Sequence, residues 1–174
     1  MLKNILSIVI VVFAVVLTTQ SAFGQQPYLT VEIEQFTVRD GVEFPADDVE
    51  KLTRSLVENF NRSKRFEKVF LSGDPASAEA PARRLKISGE IIKYDKGSQA
   101  ARYLIGLGAG KTKLIADVKF VDVETGDVVL QETVDGVVSA GLFGGSKGGA
   151  KDNLSSDLIK SMTKKGLASK KRLK

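Results

Sequence analysis

Cysteine is absent from this 174-residue chain, and its absence excludes several kinds of chemistry at once. Without cysteine the protein can form no disulfide and offers no thiol nucleophile. A lipoprotein also needs a cysteine at its cleavage site to carry the acyl chains, so we do not expect a lipoprotein.

Histidine and tryptophan are absent as well. Because histidine is the commonest general base and metal ligand, a hydroxyl nucleophile such as Ser88 or Ser139 lacks its usual base. Four acidic residues near one predicted hairpin could form a calcium site or a carboxylate pair for acid–base work: Asp117, Asp122, Glu124 and Asp127. Solvated charges that keep strand edges from aggregating explain them more simply. We therefore expect no catalytic residue, no metal site and no cofactor.

Net positive charge is absent from the body of the chain and concentrated at its end. The last 11 positions hold six basic residues and no acidic one, whereas residues 25–163 hold 19 basic and 21 acidic residues. The net charge of +5 therefore belongs to a tail and not to a basic binding face. We predict a disordered basic tail at residues 167–174, which contain little apolar surface. Because no aromatic residues interleave with these charges, we expect no nucleic-acid partner.

One long apolar run stands at the amino terminus, from Ile5 to Leu17. A lysine precedes the run and small residues follow it, which is the pattern of a secretory signal peptide. The run is also shorter than the roughly 20 residues of a membrane-spanning helix. We expect residues 1–24 to be a signal peptide that is cleaved between Gly24 and Gln25, which makes the mature protein periplasmic or secreted. If the segment is kept, it could instead serve as an anchor.

Five segments of the mature chain have the residue pattern of β-strands, at residues 28–36, 67–71, 85–93, 113–123 and 128–138. In the first, the odd-numbered residues from Leu29 to Ile33 are apolar and share one face, which predicts a half-buried strand. The last two are joined by a hairpin turn with Gly126 at the position that needs a positive φ. Gly89 predicts a bulge or a close backbone approach, and Phe120-Val121 predicts a bulge.

Two segments have the pattern of amphipathic helices. Asp47 is predicted to be the N-cap of the first, with Glu50 three residues later as in a capping box. Its buried stripe repeats at helical spacing: Val49, Leu52, Leu56, Val57 and Phe60. Asp152 or Asn153 caps the second helix, which ends at Gly166. Its stripe consists of Leu154, Leu158, Ile159 and Met162.

Two glycine-rich segments interrupt these elements, at residues 97–110 and 141–149. The first ends much like a phosphate-binding loop, but Ile105 occupies the position where that loop needs glycine. Its apolar residues carry almost no charge and could form an exposed contact surface. This predicted interaction surface consists of Arg102, Tyr103, Leu104, Ile105 and Leu107. A buried strand or turn is the other interpretation of the same residues.

The order of the elements, β-α-β-β-β-β-α, predicts an α+β fold. We expect a mostly antiparallel sheet of about five strands with two helices packed on one face. Residues 25–166 have the length of a single domain with its own core.

Three segments together resemble an exported bacterial family known as domain of unknown function 4410: YLTVEIEQFTV, RYLIGLGAGKTKLIADVKFVDVETGDVV and GVVSAGLFGGSKGGAKDNLSSDLIKSM. The most specific part is R-x-L-I-G-x-G-A-G, from Arg102 to Gly110, and the resemblance covers most of residues 28–165. The hairpin VDVETGDVV is similar to hairpins of curli-secretion-type and TolB-amino-terminal-type envelope domains. The resemblance implies an exported α+β envelope domain with no known catalytic residues. Many members of such families look like lipoproteins, and this chain departs from them by lacking the cysteine.

These features favour a non-enzymatic exported protein of the cell envelope that acts as an interaction or assembly module. Its partner would be another envelope protein or a second copy of itself, and it could touch a membrane without being integral to it. A small-ligand or lipid-binding envelope domain is the alternative, with the two glycine-rich segments gating a cavity. An enzyme that acts on envelope polymers through Asp117 and Asp122 is the third hypothesis.

Overall fold

The computed structural model describes residues 26–95, 112–138 and 153–173, which contain six β-strands and two α-helices. In chain order the elements are β1 (Thr30–Ile33), β2 (Thr37–Val38), α1 (Ala46–Ser63), β3 (Lys68–Leu71), β4 (Leu85–Asp95), β5 (Thr112–Asp122), β6 (Val128–Val138) and α2 (Asn153–Lys164). A short 3₁₀ turn, Pro75–Ser77, lies between β3 and β4.

The strands form one mixed sheet in the order β3-β1-β4-β5-β6, with β2 beside β4. The long strands β4, β5 and β6 are antiparallel neighbours and supply most of the paired residues. The short pairings of β1 with β3, β1 with β4 and β2 with β4 are parallel. The predicted α+β fold with a mostly antiparallel sheet is therefore confirmed in outline, but the strands number six and the β1 side of the sheet is parallel.

The predicted first strand, residues 28–36, is shorter in the structure: β1 ends at Ile33, and a separate strand that was not predicted, β2, follows at Thr37–Val38. Ile33 pairs with Ile87 and Thr37 pairs with Glu90, so the segment from Ile33 to Thr37 has one residue more than the facing segment of β4. This extra residue reverses which side chains face the core, and Phe36 therefore lies in the core, where it is 2% exposed. In an uninterrupted strand Phe36 would share a face with two glutamates, so its presence was the sequence signal for the interruption.

Phe36 packs directly on Gly89 of β4. A Cβ atom added at Gly89 would lie 2.3 Å from Cε2 of the Phe36 ring, well inside van der Waals contact. The backbone N–H of Phe36 donates to Oγ1 of Thr53 in α1 at 3.2 Å, which joins the same residue to the helical layer. The predicted close approach at Gly89 is confirmed, whereas the bulge in β4 lies between Ile91 and Lys93.

Helix α1 begins one residue before the predicted N-cap. Pro45 occupies the N-cap position in an extended conformation, and its carbonyl accepts from the backbone N–H of Asp48 at 3.0 Å. The predicted capping box of Asp47 and Glu50 is wrong, because Asp47 already lies in the first turn and no side chain caps the helix. Acidic residues in the first turn still complement the positive end of the helix dipole.

One hydrophobic core lies between the helices and one face of the sheet. The predicted stripe of α1 is buried except for Val57, which is partly buried, and the stripe of α2 is buried except for Ile159. The two helices contact each other and both contribute to this core, so they cover the same face of the sheet.

The β5–β6 hairpin has the predicted geometry. Gly126 has a φ of +80°, and its N–H donates to the carbonyl of Asp122 at 2.8 Å. The predicted bulge at Phe120-Val121 is also present, because β6 has one extra residue opposite this pair. Turn chemistry alone therefore accounts for Gly126.

The chain continues in the folded domain beyond Gly166, which ends the last helical turn with a φ of +78°. Leu167 and Ala168, which the sequence assigns to the tail, are each 2% exposed and belong to the core. The carbonyl of Leu167 accepts from the backbone N–H of Tyr28 at 2.9 Å, so the two ends of the domain are joined.

Tyr28 closes this corner of the molecule. Its side chain is 1% exposed, whereas Leu29, which the alternation places on the core face, lies before β1 begins and is 38% exposed. The Tyr28 hydroxyl donates to Oδ2 of Asp122 at 2.6 Å, and Oδ1 of Asp122 accepts from the N–H of Glu124 at 2.8 Å. Burial opposes ionisation of Asp122, but these hydrogen bonds and the nearby Arg83 outweigh it and lower the pKa of Asp122.

The contact between Phe36 and Gly89 yields the first test. We expect Gly89→Ala to lower the free energy of unfolding by about 1–3 kcal/mol, because the added methyl group overpacks the core against the Phe36 ring. Denaturant unfolding measures the change. The neighbouring Ser88→Ala should change it by less than about 0.5 kcal/mol, and Phe36→Leu should restore part of the loss in the double variant. Equal stability of Gly89→Ala and the unmodified protein would contradict the contact.

The bond between Tyr28 and Asp122 yields a pH-dependent test. Because the pKa of folded Asp122 is lowered, its ionised form stabilises the fold above the ordinary aspartate pKa, and that contribution is lost as pH falls through the lowered pKa. Tyr28→Phe should cost about 1.5–3 kcal/mol near pH 7, and the cost should shrink below about pH 4. Tyr94→Phe is the matched control, and its effect on the free energy of unfolding should not shrink below about pH 4. A Tyr28→Phe cost that stays constant over this pH range would contradict the ionised hydrogen bond.

Candidate functional site

Three strand ends meet at one end of the sheet. Asp95 and Lys113 are opposite each other on β4 and β5, and Thr112 is opposite Val138 on β5 and β6. Residues 96–111 connect β4 to β5, and residues 139–152 connect β6 to α2. Both glycine-rich segments of the sequence therefore join the fold at this place, which we call the glycine end and define by Asp95, Thr112 and Val138.

The described residues beneath the glycine end are well packed. Tyr94 at the end of β4 packs edge-to-face on Phe44, with ring centres 4.7 Å apart and ring planes at 82°. Leu114 near the start of β5 is fully buried. Burial raises the pKa of Tyr94, and the negative charge of Asp48 raises it further, so its hydroxyl stays protonated. The two connections are thus attached to a rigid base, which is a common way to present interaction loops.

The sequence-predicted interaction surface belongs to the first of these connections. Arg102, Tyr103, Leu104, Ile105 and Leu107 lie outside the described residues, between Asp95 and Thr112, so their assignment stays a prediction. The predicted cleavage site, Gly24 and Gln25, also lies outside them, immediately before residue 26.

The open face of the sheet, opposite the helices, carries a second group of polar side chains. Glu90 and Asp117 are directly opposite each other on β4 and β5. The Arg39 guanidinium bridges them, at 2.5 Å from Glu90 Oε2 and 3.1 Å from Asp117 Oδ2. Thr133 donates to Oδ1 of the same aspartate at 2.6 Å. Two like charges facing each other across a sheet destabilise it, and Arg39 removes that repulsion.

A shallow groove of about 370 Å³ runs beside this bridge. Its lining is mostly polar and comprises Glu34, Gln35, Thr37, Arg39, Ser88, Gly89, Glu90, Asp117, Val118, Lys119 and Gln131. Both carboxylates in the bridge are paired with one guanidinium, that of Arg39, and the rest of the lining also offers hydrogen-bonding groups.

Glu32 forms a second ion cluster on the same face and is only 5% exposed. Its Oε2 atom is 2.8 Å from Arg84 Nε, and its Oε1 atom accepts from the Ser72 hydroxyl at 2.7 Å. Burial opposes ionisation, but the bonds from Arg84 and Ser72, together with the charge of Lys86, lower the pKa of Glu32. Arg84 and Ser72 flank the segment between β3 and β4, so this cluster holds that segment against the sheet.

The carboxylates considered as a catalytic pair or a calcium site do not come together. Asp117 and Asp122 are five residues apart on β5, about 17 Å along the strand, and therefore point to opposite faces. Asp117 binds Arg39 on the open face, whereas Asp122 binds Tyr28 at the hairpin. Among the residues that the structure describes, no three acidic or histidine side chains form a group that could hold a metal ion.

None of the described helices is long and apolar enough to span a membrane. The described helices lie within residues 26–95 and 153–173, so this finding does not concern the amino-terminal apolar run.

The sequence did not reveal the Arg39 bridge or the burial of Glu32. The predicted strands β4 and β5 and their hairpin could have placed Glu90 opposite Asp117, and that unfavourable pair is a signal that a cation is needed. The residue that supplies it, Arg39, follows β2, a strand that the sequence analysis did not predict. Alternation placed Glu32 on the solvent face and gave no sign that another segment covers it.

Solved structures of low sequence identity resemble this chain, and the first of those described next shares its fold. A single-residue variant of the PelC dodecamer from Paraburkholderia phytofirmans is 17% identical, with a TM-score of 0.52, covering 85% of this chain and 94% of that chain. A second PelC dodecamer structure from this organism is 18% identical, with a TM-score of 0.49, covering 78% and 87%. Protein XCC0632 from Xanthomonas campestris, of family DUF330, is 10% identical, with a TM-score of 0.49, covering 82% and 90%.

Sequence comparison gives the family. No curated protein matches the chain. The model of the family described as "Domain of unknown function (DUF4410)" matches residues 32–141, a range that runs from β1 past the end of β6 and includes the first glycine-rich connection. This match spans more than half of the 174 residues and agrees with the resemblance seen in the sequence, and the chain therefore belongs to the DUF4410 family.

Proposed function

We propose that this chain is a non-enzymatic exported protein of the cell envelope that assembles with copies of itself through the glycine end. The observation that carries the proposal is that both glycine-rich connections join the fold at the same end of the sheet. One of them contains the apolar, nearly uncharged run from Tyr103 to Leu107, which is the kind of surface that proteins use for association.

Export is supported by the amino-terminal sequence. The run from Ile5 to Leu17 has the pattern of a signal peptide, and it ends only a few residues before the described domain begins at residue 26.

A non-enzymatic role is supported by the state of the described carboxylates. Those on the open face are engaged in ion pairs with Arg39 and Arg84, and Asp122 is engaged by Tyr28. A general acid or base must present its carboxyl oxygens to the substrate, and these oxygens instead accept hydrogen bonds and ion pairs from within the protein.

Self-association is supported by the single-residue PelC variant, which is a dodecamer and shares this fold. Homo-oligomers usually close with point-group symmetry, and contact of one patch with the same patch on a second copy closes a two-fold dimer, the commonest case. The central part of such a contact is apolar and poor in charge, which fits the composition of residues 103–107.

Native mass spectrometry of the exported protein, combined with light scattering, tests the assembly. We expect a homo-oligomer that the double variant Leu104→Asp, Ile105→Asp dissociates, with a dissociation constant raised at least about 30-fold, as for loss of one hot-spot residue. Val128→Asp is the matched control, because Val128 is 53% exposed at the opposite end of β6. It should leave the oligomer intact.

Several outcomes would contradict the proposal. A folded monomer at all concentrations would exclude self-association. An unchanged oligomer in the double variant would exclude the glycine end as the contact between copies. A small molecule retained in the spectra of the monomer would favour the alternative, a ligand- or lipid-binding envelope domain. Crosslinking in the native envelope that captures only a different protein would replace the second copy by that partner.

A further inference from the structure

The carboxyl-terminal segment folds back onto the end of α1. The backbone N–H of Leu173 donates to the carbonyl of Lys64 at 2.6 Å. The Arg65 guanidinium donates to the carbonyl of Ser169 at 3.0 Å and also to the carbonyl of Lys170. Together with the burial of Leu167 and Ala168, these bonds hold residues 167–173 against the domain.

This arrangement joins basic residues from two distant parts of the sequence. We call the joined surface the basic pole, and it consists of Arg62, Lys64, Arg65, Lys164, Lys165, Lys170, Lys171 and Arg172. All of them except the half-buried Arg65 are exposed. Residues 59–66 and 164–173 contain no acidic residue, so nothing within these segments offsets the charge. The basic residues that the sequence confines to a tail thus form part of a larger basic face.

The basic pole differs from the ion clusters of the open face. On the open face, Arg39, Arg84 and Lys86 are all paired with glutamate or aspartate. Within the described part of the chain, no residue of the basic pole forms an ion pair. Arg62 donates to Asn59 and Arg65 to main-chain carbonyls, which leaves their positive charge without a counter-charge. Eight unpaired like charges repel each other, so they suggest an external anion.

The compartment of the protein identifies that anion. An exported protein of the cell envelope, as proposed above, works beside membranes. Clusters of lysine and arginine bind the anionic headgroups of a membrane, worth about 1 kcal/mol for each Lys or Arg at the surface. Leu167 binds the backbone of Tyr28, and Arg83 donates to the carbonyl of Gln26, so the described chain enters the domain beside the pole.

The basic pole and the glycine end lie at opposite ends of the sheet. Leu167, beside the pole, binds Tyr28, and Leu173 binds Lys64, so the pole lies near the starts of β1 and β3. The glycine end lies where β4 and β6 end. Strands of 11 residues span about 35 Å. This is several times the Debye length of about 8 Å at physiological salt, so the two surfaces act independently.

We propose that the basic pole docks on the anionic phospholipid headgroups of a membrane and turns the glycine end away from it. The phosphates would be bound by the lysine and arginine side chains as a diffuse charged surface. The proposal goes beyond self-assembly and does not depend on it, since the basic pole is complete in a single copy of the chain.

Vesicle binding tests the proposal on the exported protein after its amino terminus has been sequenced. Two partition coefficients of the protein are measured, one for vesicles of phosphatidylglycerol with phosphatidylcholine and one for vesicles of phosphatidylcholine alone. Their ratio reports anionic-lipid binding, because the contribution of any retained apolar segment is the same in both and cancels. The ratio should be high at about 0.1 M salt and collapse towards one at about 1 M, where the Debye length is about 3 Å.

Three charge-matched variants locate the surface. Lys170→Gln, Lys171→Gln, Arg172→Gln changes the tail, and Arg62→Gln, Lys164→Gln, Lys165→Gln changes the helix ends. Each should lower the ratio on the order of 100-fold, since three residues at about 1 kcal/mol each contribute about 3 kcal/mol. The control Lys93→Gln, Lys113→Gln, Lys119→Gln removes the same charge from exposed residues of β4 and β5 and should change the ratio less than about twofold.

Each alternative result would overturn the proposal. Equal binding to both vesicle compositions, or an equal loss in the control, would exclude a localised anionic-lipid surface. A loss confined to the tail variant would show that the tail acts without the helix ends. Retention by a nucleic-acid fragment but not by vesicles would assign the pole to another polyanion. Matching thermal unfolding of all three variants ensures that a loss reflects charge and not folding.

Discussion

The antiparallel run of β4, β5 and β6 is the constraint on which the rest of the structure depends. Because each of these strands reverses the direction of the last, the chain leaves β4, enters β5 and leaves β6 at one end of the sheet. Both glycine-rich connections must therefore be attached at that end, and the β5–β6 hairpin must lie at the other. Tyr28, bonded to Asp122 and Leu167, then brings the two ends of the domain to the hairpin end.

Local sequence signals predicted the parts of the fold that depend on local chemistry. The hairpin at Gly126 and the α1 stripe follow from turn preference and helical periodicity, and both are confirmed. The break between β1 and β2 was not predicted, because it depends on a distant residue, Gly89, that leaves room for the Phe36 ring. The N-cap was misplaced because Pro45, whose fixed φ suits that position, takes it without a side-chain bond.

Of the two candidate surfaces, one was predicted from local sequence and the other depends on the fold. The composition of residues 102–107 predicts an apolar contact surface. The topology shows only where the connection that contains them is attached, so the contact surface itself stays a prediction. The basic pole could not be read from the sequence, because Lys64 and Leu173 meet only through a backbone hydrogen bond across the fold. Charge counting alone separated a basic tail from a nearly neutral body, and the body contributes Arg62, Lys64 and Arg65 to the same surface.

The central claim is that two interaction surfaces lie at opposite ends of one sheet. The chain has no cysteine, so a fluorescent label can be placed at one site at a time. Lys171→Cys labels the basic pole and Lys113→Cys labels the glycine end. With a quencher in the headgroup region of phosphatidylglycerol-containing vesicles, the account predicts strong quenching at position 171 and little at position 113. Quenching at position 113 that equals or exceeds quenching at position 171 would contradict it.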